Sequence, residues 1–129
     1  EVINYRTTPD WERQVQDLTG GTGVDVVVEV GGAGTLEKSV EAVRVGGTIS
    51  LVGVLTGGKI DPTAVMRKSV RLQGIYVGPQ AMFSKLNAAL VQNKIHPVID
   101  DVIPFEDARK AFELMQSGAH FGKIVIAMP

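Results

Sequence analysis

Glycines close three successive apolar runs in this chain, and their placement bears most directly on chemistry. Val24–Val30 ends on Gly31 and Gly32, Thr48–Val54 carries Gly53 near its end, and Val70–Val77 ends on Gly78. In an open parallel sheet, ligands sit beyond the carboxyl ends of the strands, where the strand order reverses. A glycine at such an end lets a flat ring or a sugar approach the backbone with no Cβ in the way. Glycine also makes tight strand-to-helix turns, so each position taken alone reads either way. Three consecutive strands sharing the feature point to a ligand crevice.

Other residue types contribute less. Glu29 stands at the exit of an apolar strand, where a carboxylate is either paired and capping or a functional contact. Lys123, after Gly122, reads as a point charge for a phosphate or as a solvated lysine. His96 and His120 both flank turns with no acidic residues at ligand spacing, so they read as turn or surface residues. Ser39, Ser50, Ser69, Ser84 and Ser117 lack a nucleophile elbow. Gly21-Thr22-Gly23 precedes a strand, and Gly32-Ala33-Gly34 continues as Thr-Leu-Glu, so neither completes the dinucleotide fingerprint. No P-loop is present, and a pyrophosphate would need a turn that lies outside the chain. No catalytic residue and no metal ligand is assigned.

These residues have to be held by alternating strands and helices. Val2–Tyr5 reads as a strand, followed by a helix with Thr8 as cap and Pro9 at its first position, ending at Gly20-Gly21. Val24–Val30 is so evenly apolar that it reads as a strand covered on both faces, as inside a parallel sheet. A helix capped by Thr35, with Leu36, Val40 and Val43 on one face, runs to Gly46-Gly47. Strand Thr48–Val54, a short helix from Asp61-Pro62 and strand Val70–Val77 complete a βαβ rhythm. After Gly78 the pattern changes. Helix Gln80–Asn93 carries Met82, Phe83, Leu86, Ala89 and Leu90 as a core stripe. Strand Val98–Ile103, helix Glu106–Gln116 with Ala108, Ala111, Phe112 and Met115 inward, and strand Lys123–Met128 follow.

The 129 residues make one domain's worth of chain. Thirteen basic against 14 acidic side chains, for a net charge of -1, give no electrostatic reason to expect nucleic acid or an anionic membrane. With no cysteine there is neither a disulfide nor a thiolate zinc site. Apolar runs reach only strand length, no signal peptide is visible, and a cytoplasmic location is the default expectation.

Taken together, Val24–Gly32, Gly46–Val54, Arg71–Gly78, Val102–Ala108 and the closing Gly118–Ile126 resemble the medium-chain dehydrogenase/reductase superfamily, in its zinc-dependent alcohol dehydrogenase branch. The resemblance covers the whole chain. It implies an α/β fold: the second half of a Rossmann-type doubly wound parallel sheet, then a C-terminal α/β tail belonging to the catalytic domain. Residues 1–78 would be a partial dinucleotide-binding domain lacking its first two strands, and residues 79–129 the return to the catalytic domain.

The resemblance also implies a nicotinamide cofactor, NAD or NADP. Val30, Gly31 and Gly32 would line its ribose crevice, and Val52, Gly53 and Val54 would flank the nicotinamide. Ile75, Tyr76 and Val77 would hold the carboxamide edge, with the backbones of Val52, Ile75 and Val77 as its hydrogen-bonding groups. Lys123 would lie near the phosphates. The family's zinc ligands, proton relay and glycine fingerprint would all precede Glu1, so the isolated chain is expected to be inactive. The parent protein would exchange a hydride between an alcohol and its aldehyde or ketone. Alternatives are a zinc-free quinone oxidoreductase or enoyl reductase of the same superfamily, or a non-enzymatic nucleotide-binding module. Exposed sheet edges imply a homodimer or larger assembly.

Overall fold

The computed structural model describes all 129 residues, which form two compact units, Glu1–Val77 and Gly78–Pro129. In the first, three strands, β1 (Val24–Glu29), β2 (Val43–Leu51) and β3 (Arg71–Gly74), pair in parallel in the order β1-β2-β3. Helix α1 (Trp11–Leu18) precedes β1, and helices α2 (Ala33–Ala42) and α3 (Pro62–Arg67) make the connections. The register sets Val27 beside Ile49 and Ile49 beside Leu72. Side chains alternate between the faces of a strand, so these three share a face, and Leu36 and Val40 of α2 pack on it with Val43 and Val70. Val43 and Ile49 are fully buried, each contributing about 1.5–3 kcal/mol over an exposed side chain.

Several elements differ from their sequence reading. Val2–Tyr5 is not a strand. The Asn4 carbonyl accepts the Thr7 and Thr8 N–H groups and its side chain accepts that of Arg6, which closes the segment into a turn. Helix α1 starts at Trp11 behind Asp10, so Thr8 does not cap it and Pro9 precedes it. Helix α2 starts earlier than Thr35, with Gly32 at its N-cap. Strand β2 begins at Val43 and passes through Gly46-Gly47, because Val43 still pairs with Val24 across a register irregularity before regular pairing resumes at Thr48. Strands β1 and β3 are shorter than the apolar runs that announced them, ending at Glu29 and Gly74. Asp61 does cap α3, accepting the Thr63 N–H at 2.8 Å with Pro62 behind it.

The expectation of coverage on both faces fails within this chain. Val26, Val28 and Val30 point away from the core and are 56%, 66% and 59% exposed. No helix of the first unit lies over that face, so the apolar residues that suggested an interior strand are exposed.

The second unit holds α4 (Gln80–Gln92), a two-stranded parallel sheet of β4 (Ile99–Pro104) and β5 (Lys123–Ala127), and α5 (Ala108–Ser117) as its crossover. Ile103 and Ala111 are its buried apolar residues. Two strands offer α5 only a narrow surface, so Phe112 and Met115 are exposed instead of turned inward, as are Met82, Phe83 and Leu86 of α4.

Candidate functional site

The carboxyl ends of β1 and β2 are tied together at Glu29. Its main-chain carbonyl accepts the N–H groups of Val52 and Gly53 at 2.9 and 3.0 Å. Its side chain, on the core face, is 4% exposed. Oε1 accepts the Gly31 and Gly32 N–H groups at 2.8 and 3.0 Å and the Thr35 hydroxyl at 2.6 Å, and Oε2 accepts the Ser39 hydroxyl. Burial pushes this carboxyl up, but the Ser39 and Thr35 hydroxyls and the two glycine amides outweigh burial and hold it below its ordinary value. Of the two readings of Glu29, the capping carboxylate is the one the geometry realises. Thr35 therefore acts from within the helix as a donor to Glu29.

Thr56 closes the same turn from the loop after β2. It forms a parallel bridge with Gly32, its carbonyl accepts the Ala33 N–H, and its hydroxyl accepts the Gly34 N–H at 2.7 Å. The first amides of a helix are the donors that usually greet a phosphate. Here Thr56 occupies the Ala33 and Gly34 amides of α2, and the Gly32 carbonyl that of Thr35. Glu29 takes those of Gly31 and Gly32 just before the helix, so this turn has none left for an anion. That agrees with the missing fingerprint at Gly32-Ala33-Gly34.

Two glycines are explained by this closeness. Gly32 has φ +96°, and a Cβ there would press on the Thr56 and Gly53 carbonyl oxygens at 3.1 and 3.2 Å. At Gly53 a Cβ would overlap the carbonyl of Val30. The space that Gly53 leaves open is thus filled by the neighbouring strand end, a packing demand that a run of residues cannot display.

Beyond the ends of β2 and β3 lies a cavity of about 640 Å³ lined by Leu51, Val52, Val54, Gly74, Ile75, Tyr76 and Val77. Leu51 and Gly74 were missed in the sequence, although each is the last residue of its strand. The Ile75 N–H donates to the Leu51 carbonyl at 2.8 Å, which extends the β2–β3 pairing into the cavity wall. Val52, Val54, Ile75, Tyr76 and Val77 come together here, and Val30, Gly31 and Gly32 adjoin them through Gly53. Lys123 lies in the second unit, at the first position of β5, with its N–H on the Val98 carbonyl and its side chain exposed. Gly78 likewise belongs to the second unit, where a Cβ would meet Met82 of α4.

The cavity is an open cleft, walled by aliphatic side chains and Tyr76 and edged by backbone, with room for a flat ring. Zinc does not fit, since no group of three or more His, Asp or Glu side chains comes together that could hold a metal. No helix is long and apolar enough to cross a membrane.

Half of a doubly wound sheet, ending in a crevice at its carboxyl edge, defines a class, and the comparisons name it. The family model for zinc-binding dehydrogenases matches residues 1–126, and the chain belongs to that family, within the medium-chain dehydrogenase/reductase superfamily. A zinc-type alcohol dehydrogenase-like protein of Schizosaccharomyces pombe is 35% identical over 97% of this chain, which spans 38% of that relative's length. A crotonyl-CoA reductase of Streptomyces avermitilis is 28% identical over 89% of the chain and 27% of its own length. The crystal structure of an NAD-dependent alcohol dehydrogenase superposes with a TM-score of 0.87 at 30% identity, covering 100% of this chain and 38% of that one.

Proposed function

We propose that this chain forms one wall of the nicotinamide-cofactor site of an alcohol dehydrogenase-type oxidoreductase. The observation that carries the reading is the cavity beyond β2 and β3, where Val52, Val54, Ile75, Tyr76 and Val77 meet. Residues 1–78 act as the partial dinucleotide-binding domain and residues 79–129 as the segment returning to the catalytic domain. Val30, Gly31 and Gly32 face the ribose; Val52, Gly53 and Val54 flank the nicotinamide; Ile75, Tyr76 and Val77 hold its carboxamide edge. Lys123, exposed at the first position of β5, is the candidate cation for the phosphates. The cofactor, NAD or NADP, supplies the hydride acceptor and donor. The chain's part is to exclude water with aliphatic walls and to fix one ring face by strand-end backbone contacts. Zinc, where the protein uses it, would be held by residues that this chain does not supply.

The test uses the full-length protein that carries this sequence. Absorbance at 340 nm is followed with NADH and NADPH against a panel of aldehydes and ketones, before and after chelation. Turnover of a carbonyl that chelation abolishes supports the zinc-dependent reading. Chelator-resistant reduction of a conjugated enoyl thioester or quinone supports the second reading, which the crotonyl-CoA reductase relative favours. Cofactor binding without turnover of either panel overturns both and leaves a binding module.

A further inference from the structure

Glu29 is the one buried acidic side chain of the chain. Its neighbours on the core face, Val27, Ile49 and Leu51, are apolar, and burying a carboxylate among them is costly unless its lone pairs are filled. They are filled from the crevice side. The carboxylate gathers the Gly31 and Gly32 amides, and the main-chain carbonyl of the same residue gathers those of Val52 and Gly53. An apolar residue at this position would complete the strand equally well and leave two turn amides without an acceptor. Thr35 and Ser39, one turn apart on α2, hold the carboxylate from its other side.

We propose that the Glu29 side chain is a positioning group of the cofactor crevice: it pins Gly31 and Gly32 to α2, beside the Val52–Gly53 segment that the Glu29 main-chain carbonyl holds, so that the rim is formed before a ligand arrives. The inference rests on the cofactor reading above. A preformed rim spares binding the cost of ordering two loops. Glu29 fills the place an anion would take at the start of α2, where the helix field favours negative charge.

The test compares wild type, Glu29→Ala and Glu29→Gln in the full-length protein, well below each melting midpoint. Cofactor Kd, KM and kcat are measured. Glu29→Ala is expected to raise Kd and KM on the order of tenfold, the scale of one charge-assisted hydrogen bond, with kcat within about twofold. Glu29→Gln keeps one oxygen for the glycine amides and falls between. Formate, small enough to enter the vacated place, recovers affinity in Glu29→Ala and leaves wild type unchanged. If Glu29→Ala does not fold, Thr35→Val and Glu29→Gln carry the comparison, and both must weaken cofactor binding. A lowered melting temperature with unchanged Kd and KM overturns the proposal, because Glu29 would then serve the fold alone. Wild type that binds neither NADH nor NADPH is a different failure, that of the cofactor reading itself.

Discussion

A methyl group at residue 53 has nowhere to go. Its position is set by the main chain, so no rotamer relieves it, and what it meets is the main chain of Val30, with the Cα at 2.7 Å and the carbonyl nearer still. Comfortable carbon contacts need about 3.5–4.0 Å, so the ends of β1 and β2 must part by on the order of an ångström. The hydrogen bonds from the Val52 and Gly53 N–H groups to the Glu29 carbonyl, 2.9 and 3.0 Å long, span that gap. Losing two such bonds costs about 1 kcal/mol each, and overpacking strain adds about 1–3 kcal/mol. Gly53→Ala should therefore destabilise the chain by about 3–5 kcal/mol, read by urea unfolding followed by circular dichroism. Gly57→Ala is the control, because nothing lies within 4 Å of a Cβ there, and its effect should stay within about 0.5 kcal/mol. A Gly53→Ala cost below about 1 kcal/mol would refute the reasoning, since the strand ends could not then be in contact.

Further expectations concern the core, pH, assembly and binding. Ile49→Ala, at a fully buried site, should cost about 2–5 kcal/mol in the same unfolding assay; a value near zero would mean that the α2-covered face is not the core. Glu29 has a folded pKa below its ordinary 4.5, so its stabilisation is complete above that range and is lost as pH falls through the folded value. The stability difference between wild type and Glu29→Gln should therefore shrink on acidification, and a difference that grows instead contradicts the sign. Val26, Val28 and Val30 lie exposed on the open face, and β1 is an edge strand. The 129-residue chain should sediment as a dimer or larger at micromolar concentration, and a compact monomer would contradict this. The same chain should bind NADH only at millimolar levels or weaker, because the amides at the start of α2 are already taken; micromolar binding by calorimetry would refute this.

The sequence displayed this fold where local chemistry and the buried pattern agree. Asp61-Pro62 announces α3 because a cap and a preset φ need no distant partner. The valines of β1 announce a strand because β-branched residues suit the pleat. Their evenness, however, reports what two faces could bury, and the helices of the first unit cover only one. Val2–Tyr5 has strand composition but no strand beside it, so Asn4 wins with a local turn. At the site, Val52, Val54 and Ile75–Val77 were legible as the ends of apolar runs, whereas Leu51, Gly74 and the reason for each glycine were not. Gly53 is glycine because of Val30, Thr35 belongs to Glu29, and Thr56 reaches back to Gly34. Those pairings join residues that only the folded sheet makes neighbours.

The central claim, that the crevice beyond β2 and β3 receives a nicotinamide ring, is tested most directly by a crystal structure of the full-length protein with NADH or NADPH. The account predicts the ring between Val52, Val54 and Ile75–Val77, its carboxamide within hydrogen-bond distance of main-chain groups at Val52, Ile75 or Val77. A bound cofactor whose nicotinamide lies elsewhere, with this crevice free of it, would contradict the account.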